Sequence, residues 1–137
     1  MNKILVEVSV GELLDKISIL EIKSEKIKDP KKLNFIIDEY NILKDQLNTN
    51  IKNYSDIESL YNSLKEINSK LWVIEDDKRL CEKNSDFGEK FIKLSRDVHF
   101  LNDERAKLKL EINSKTGSKI REIKELSLIH ISEPTRP

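Results

Sequence analysis

The sequence predicts an all-α fold: an antiparallel helical bundle, or coiled-coil hairpin, of about four helices behind a short N-terminal β-strand. Three observations predict it. The 137 residues hold only 3 Gly and 3 Pro, too few breakers for a sandwich or barrel of short strands. Apolar residues recur at three- and four-residue spacing, the period of one helix face. Capping and turn residues fall between these apolar stripes, where helices start and stop.

Ile4 to Val8 (ILVEV) is the β-like run, and no second convincing strand follows it before the last dozen residues. An unpaired apolar edge is a liability. The run is therefore expected to pair with a further C-terminal segment or another copy, or else to lie along the helices. Ser9-x-x-Glu12 is a capping box, in which hydroxyl and carboxylate satisfy two backbone donors left free by the first turn. The seam Leu13, Ile17, Leu20, Ser24, Ile27 follows. Leu14, Ile19 and Ile22 widen its apolar surface, so this first helix is expected to have neighbours on more than one side. Asp29-Pro30 ends it and opens the next helix, with Asp as N-cap and Pro at the first helical position.

The second helix places Leu33, Ile36, Ile37, Tyr40, Leu43 and Leu47 on one face, and weakens over Asn48-Thr49-Asn50, whose side chains compete for backbone hydrogen bonds. Ser55-x-x-Glu58 reads as another capping box. From there Ile57, Leu60, Leu64, Ile67, Leu71, Ile74, Lys78 and Cys81 keep heptad spacing, broken only by Lys78. A turn at Asn84-Ser85-Asp86 follows, with Asp86 and Glu89 as a capping-box-like start. The fourth seam is Phe87, Phe91, Leu94, Val98, Leu101, Arg105, Leu108, Ile112. These last two helices are about 27 residues, or roughly 40 Å, each. So short a connection makes them antiparallel neighbours. Thr116-Gly117-Ser118 is a stop, with Gly at the left-handed position, and Ile120 and Ile123 extend the helical pattern another turn or two.

Leu126 to Arg136 (LSLIHISEPTR) looks like the in-frame translation of a transposon-end sequencing adapter. The expected organisation is one helical domain over residues 1–125 and a non-native tail over 126–137. The alternative for the tail is a genuine strand that pairs with the N-terminal one.

Charge and cysteine content narrow the function classes. With 25 basic and 25 acidic residues the formal net charge is zero, which gives no electrostatic case for nucleic acid or an anionic membrane. No apolar run approaches the roughly 20 residues of a membrane span. One Cys excludes an intramolecular disulfide and a Cys-based zinc site, and suits a reducing cytoplasm.

Three stretches, SVGELLDKISILEIK (Ser9 to Lys23), LWVIEDDKRLCE (Leu71 to Glu82) and RDVHFLNDERAKLKLEIN (Arg96 to Asn113), resemble in order and spacing a bacterial domain of unknown function, family 6165. The resemblance covers residues 3 to 125, and the first motif is its most specific part. It implies a module that accompanies, or is fused to, proteins of surface-glycan assembly. It brings no catalytic or ligand residue with it. This copy departs from the pattern in its tail.

Two constellations are candidates for chemistry. Glu12 and Asp15 share a face of the first helix, and Glu75, Asp76 and Asp77 lie on the third; facing helices that supply carboxylates are how all-helical Mg²⁺ sites are built. The pattern is distantly similar to that of all-α nucleotide pyrophosphohydrolases, but Lys78 stands where a further acid is needed, and Glu12 already serves the capping box. Solvated helix surface is the competing reading. Arg105 occupies a core position of its heptad, beside Asn102, Asp103 and Glu104 and two turns beyond Arg96 and Asp97; Lys78 breaks the facing seam. An unpaired buried guanidinium is costly, so Arg105 must pair across the bundle and set register, line an anion pocket, or reach solvent along its stem.

Tyr61 and Trp72 share a flank of the third helix, as core packing or as surface or interface aromatics. Cys81 reads as a buried inert thiol and His99 as a boundary imidazole. No Gly-rich phosphate loop, zinc spacing or hydrolase elbow occurs, so no metal or cofactor is expected apart from Mg²⁺ under the enzymatic reading. The function expected is a cytoplasmic protein–protein interaction or oligomerisation module, a homo-oligomer or bound to a protein partner, without nucleic acid or membrane. The alternative is an all-α Mg²⁺-dependent nucleotide or nucleotide-sugar hydrolase, or a transferase subunit.

Overall fold

In a computed structural model, the described residues are 3–52 and 54–117. Among them the chain forms four helices: α1 Val10–Lys26, α2 Pro30–Asn50, α3 Glu58–Lys83 and α4 Glu89–Thr116. One 3₁₀ turn, Tyr54–Asp56, precedes α3. Ile120, Ile123 and the whole stretch read as an adapter lie outside the described residues.

The expected N-terminal strand is not formed. Residues 3–9 carry no regular structure, and Ile4 is 88% and Leu5 84% exposed. A strand exists through the ladder bonds of a neighbour, and the described residues offer none. What the segment does supply is the cap: Ser9 is extended and its Oγ accepts from the Glu12 N–H at 3.1 Å. Asp29 caps α2 by accepting from the Lys31 N–H at 3.1 Å, with Pro30 in the first turn.

Two expected capping boxes give way to other devices. At α3 the N-cap is Ile57, not Ser55, and no side chain caps it. Ile57 is 1% exposed, so burial of its side chain fixes where the helix begins, and its N–H bonds to the Tyr54 carbonyl at 3.0 Å. Before α4, Asp86 accepts from the Gly88 N–H at 3.2 Å, two residues on, closing an Asx turn instead of a box. Ser85 takes the left-handed conformation at φ 55°. Gly117, at φ 65°, ends α4 with its N–H on the Asn113 carbonyl.

α3 and α4 form the expected antiparallel hairpin, and α1 packs against α2, α3 and α4. It starts on α4, where Gly11 and Glu12 meet Asn113 and Lys109. Its middle touches both hairpin helices through Asp15, and its later part meets Tyr61 and Lys65 of α3. So α1 passes across the hairpin. That is why Leu14, Ile17, Leu20 and Ile22 are all buried although they do not share one seam. The crossing is close: a Cβ on Gly11 would lie 2.5 Å from the Lys109 carbonyl oxygen. α2 folds back on α1, with Lys16 and Glu39 3.8 Å apart.

The core sits where the four helices meet: Leu14, Ile17, Leu47, Ile57, Tyr61, Leu64 and Ile112. Further out, α3 and α4 have only each other, and Ile74, Phe91, Leu94 and Val98 are half-buried. Cys81 alone is buried near the tip. On α2 only Leu47 is buried, and Ile37, expected on the inner face, is 42% exposed because α1 is the one broad surface α2 packs on. The result is a packed base and a projecting two-helix arm.

Candidate functional site

The base contains a polar ladder between α1 and the hairpin. Asp15, 2% exposed, accepts from Arg105 Nε at 2.8 Å and Nη2 at 2.5 Å, a bidentate pair, and from Asn68 Nδ2 at 2.9 Å. Asn68 also donates to Ser18 Oγ at 2.8 Å, and Ser18 donates to the Asp15 carbonyl at 2.7 Å. Arg105 reaches back to Asn102 Oδ1 at 3.4 Å. One turn along, Glu12 meets Lys109 Nζ at 2.8 Å, and Asn113 Oδ1 accepts from the Gly11 N–H at 2.7 Å. These contacts join the first and third of the motifs singled out in the sequence.

Arg105 therefore lies beside a carboxylate on a crossing helix. Sequence reasoning did not find Asp15 as its partner, nor Ser18, Asn68, Lys109 or Asn113. The available signal was Asp15 and Ser18 together, two polar residues one turn apart within an apolar helix.

The carboxylates expected to gather do not. Three N–H donors occupy Asp15, about three of its four acceptor positions. Glu75 lies seven residues beyond Asn68, about 10 Å further along α3. Glu75 is exposed, and Asp76 is exposed and paired with Arg79 at 3.2 Å. Among the described residues no group of three or more His, Cys, Asp and Glu is placed to hold a metal ion.

A second cluster escaped the sequence reading altogether. All three tyrosines meet around Glu21. Tyr61 Oη donates to Glu21 Oε1, and the Tyr54 ring lies 6.4 Å from that of Tyr61. Lys44 sits over Tyr54, and Lys65 bridges towards Glu21 and Glu25. Burial, then the Glu21 charge, raises the Tyr40 pKa above 10.0. Burial raises that of Tyr54, followed by Glu58, Glu21 and Tyr40. Tyr61 is thus a core residue, 7% exposed, and not a surface aromatic. Trp72, three turns further along the same flank, is half-buried.

The arm is different in kind. Phe100, 55% exposed, borders two shallow grooves. One, of about 620 Å³, runs between α3 and α4 past Val73, Ile74 and Leu101, with Lys70 and Asp97 at its rim. The other, of about 520 Å³, lies on α4 alone, along Ile92, Arg96 and His99. Lys78, the break in the third seam, lies over the Phe91 ring, 5.7 Å from its centre. Asp97 pairs with Lys93 at 2.9 Å, and His99 lies 3.7 Å from Asp103.

Comparison with protein families gives a match to a family model over residues 4–136, nearly the whole chain. The chain belongs to the Family of unknown function (DUF6165). The match takes in all three motifs, and its last stretch lies outside the described residues. No curated protein and no solved structure matches the chain. For this member of the family, then, the polar ladder accounts for motif residues by packing, while exposed apolar side chains lie on residues 4–8, on α2 and on the arm, where they border the two grooves. No described helix is long and apolar enough to cross a membrane.

Proposed function

We propose that the chain is a protein-association module whose contact face is the projecting α3–α4 arm. The observation that carries this reading is the grouping of Val73, Ile92 and Phe100, each at least half exposed, around the two grooves. Large apolar side chains gathered at concave surface mark interaction sites more often than singly scattered ones do. The buried polar groups of the base, by contrast, are engaged with one another, Asn113 Nδ2 excepted. The setting we assign, surface-glycan assembly, comes from the family resemblance and not from any side chain.

The enzymatic rival draws less support. A Mg²⁺-dependent hydrolase needs several carboxylates converging on one cation. Here Asp15 is held by Arg105, and Glu75 and Asp76 face solvent on the arm. Multi-angle light scattering against concentration tests the association reading. The expected mass rises above the 16.0 kDa of one chain, and Phe100→Glu returns it to that value. A wild-type chain that stays at monomer mass, or a variant that associates equally well, overturns the reading.

A further inference from the structure

Two exposed stripes of this chain match each other in spacing and oppose each other in charge. On the outer face of α2, Phe35 (70% exposed) and Ile42 (62%) lie seven residues apart, with exposed Asp38 between them. On the outer face of α4, Ile92 (56%) and Phe100 (55%) lie eight apart, with exposed Arg96 between them. Along the helix axes these separations are about 10 and 12 Å. Each stripe reads apolar, charged, apolar, over two turns. Asp38 makes no ion pair with any described residue. Arg96 has no carboxylate partner among them either, and its guanidinium lies over the Phe100 ring, 5.9 Å from the centre.

Within one chain α2 packs on α1, and its outer face points away from the base. We infer that the partner of the arm is a second copy of this chain, whose α2 stripe lies along the Ile92–Arg96–Phe100 stripe of α4. Asp38 of one copy meets Arg96 of the other, and Phe35 and Ile42 cover the apolar positions on either side. This deepens the association reading and rests on it. Because the two stripes are different surfaces, the contact is isologous when reciprocal and heterologous when it runs head to tail. It closes into a dimer when each copy offers its α2 to the other's arm, and otherwise continues from copy to copy. Exposed apolar anchors supply the attraction, and the opposed charges fix the pairing of the stripes.

Charge reversal on the full-length chain, read by sedimentation velocity, tests it. Asp38→Arg and Arg96→Asp are each expected to weaken association at least tenfold, with thermal unfolding at a dilution where the wild type is dissociated left unchanged because both side chains are exposed. An equimolar mixture of the two variants is expected to regain association. In that mixture the reversed α2 stripe of one variant meets the reversed arm of the other, and the two unaltered stripes also meet. Single variants that associate like the wild type, or a mixture that stays dissociated, overturn the inference. If Phe100→Glu dissociates the protein while both reversals are silent, the α2 assignment falls and the arm remains the contact face. A wild-type chain that is monomeric throughout overturns both.

Discussion

The base of the bundle and the arm beyond it use the same residue types at the same heptad spacing, yet they differ in how much water they exclude. At the base, Leu64 has no exposed surface because α1 closes over the hairpin. On the arm, Ile74 lies on the same heptad seam and is only half-buried, since α4 is its one neighbour. Polar residues divide the same way. In the ladder of the base they meet partners across helices at 2.5 to 2.9 Å, as with Asp15 and Arg105, Asp15 and Asn68, or Glu12 and Lys109. Those of the arm pair along their own helix, as Lys93 does with Asp97, or lie over aromatic rings, as Lys78 and Arg96 do. The same stripe is thus a core where a third helix covers it and a surface where none does.

Asp15→Ala is the strongest way to break the base. It leaves Arg105, whose side chain is 29% exposed, without its carboxylate and Asn68 one acceptor short, a loss near the lower end of the about 3–5 kcal/mol of a fully buried pair. Urea unfolding should show the loss, and Arg79→Ala, which breaks an exposed pair on the arm, should cost less than about 1 kcal/mol. Equal losses would erase the distinction between the two regions.

Truncation of matched apolar residues comes next. Leu64→Ala should cost about 3 kcal/mol and Ile74→Ala about 1 kcal/mol, since the second is already half in water. The same unfolding measurement, made at a dilution where copies are apart, decides it, and comparable values there would mean that α4 alone covers Ile74 as fully as the base covers Leu64.

Gly11→Ala sharpens the contrast from the backbone side. Alanine is the better helix former by about 1 kcal/mol, so on an exposed helix the change would stabilise. Here the added methyl meets the Lys109 carbonyl oxygen at 2.5 Å and must push α1 off α4, a net loss of about 1–3 kcal/mol in thermal melts. Val73→Ala on the arm, by comparison, should shift the melt little.

The smallest expected effect is alkaline. Tyr40 and Tyr54 have folded-state pKa values above their ordinary 10.0, raised first by burial and then by nearby carboxylates. An acid raised in this sense contributes stability that is complete below its unfolded value and fades as pH climbs through the folded one. Stability should therefore decline modestly above about pH 10 as tyrosinate absorbance rises, and Glu21→Gln, which removes a charge that raises both pKa values, should move the folded-state tyrosinate transition downward in pH and shrink the decline. A decline beginning near neutral pH would place the sensitive groups elsewhere.

Much of the fold was legible because helix signals are local. Ser9, Asp29 and Gly117 sit at the boundaries that their cap chemistry dictates, and the turn at residues 84–86 makes the hairpin antiparallel. Where local chemistry competed with burial, burial prevailed: Ile57 took the N-cap position from Ser55, because its side chain is needed in the core. The run at residues 4–8 has strand composition but no ladder partner among the described residues. Of the candidate site, the anomaly at Arg105 was visible as a charge in an apolar register. Its partner was not, since Asp15 lies 90 positions away on a helix whose crossing no periodicity encodes.

The sequence by itself determined that the chain is helical, where α1 and α2 start and α4 stops, and that α3 and α4 pair back to back, because each of these follows from bonds and contacts between near neighbours in the chain. Only the tertiary structure decided that α1 lies across the hairpin and covers just its base. That choice turns on the fit of Gly11 against the Lys109 backbone and of Asp15 between Asn68 and Arg105, contacts between distant residues that form when whole helices dock. By covering one end of the hairpin and leaving the other, it also decided which apolar residues became core and which remained at the surface.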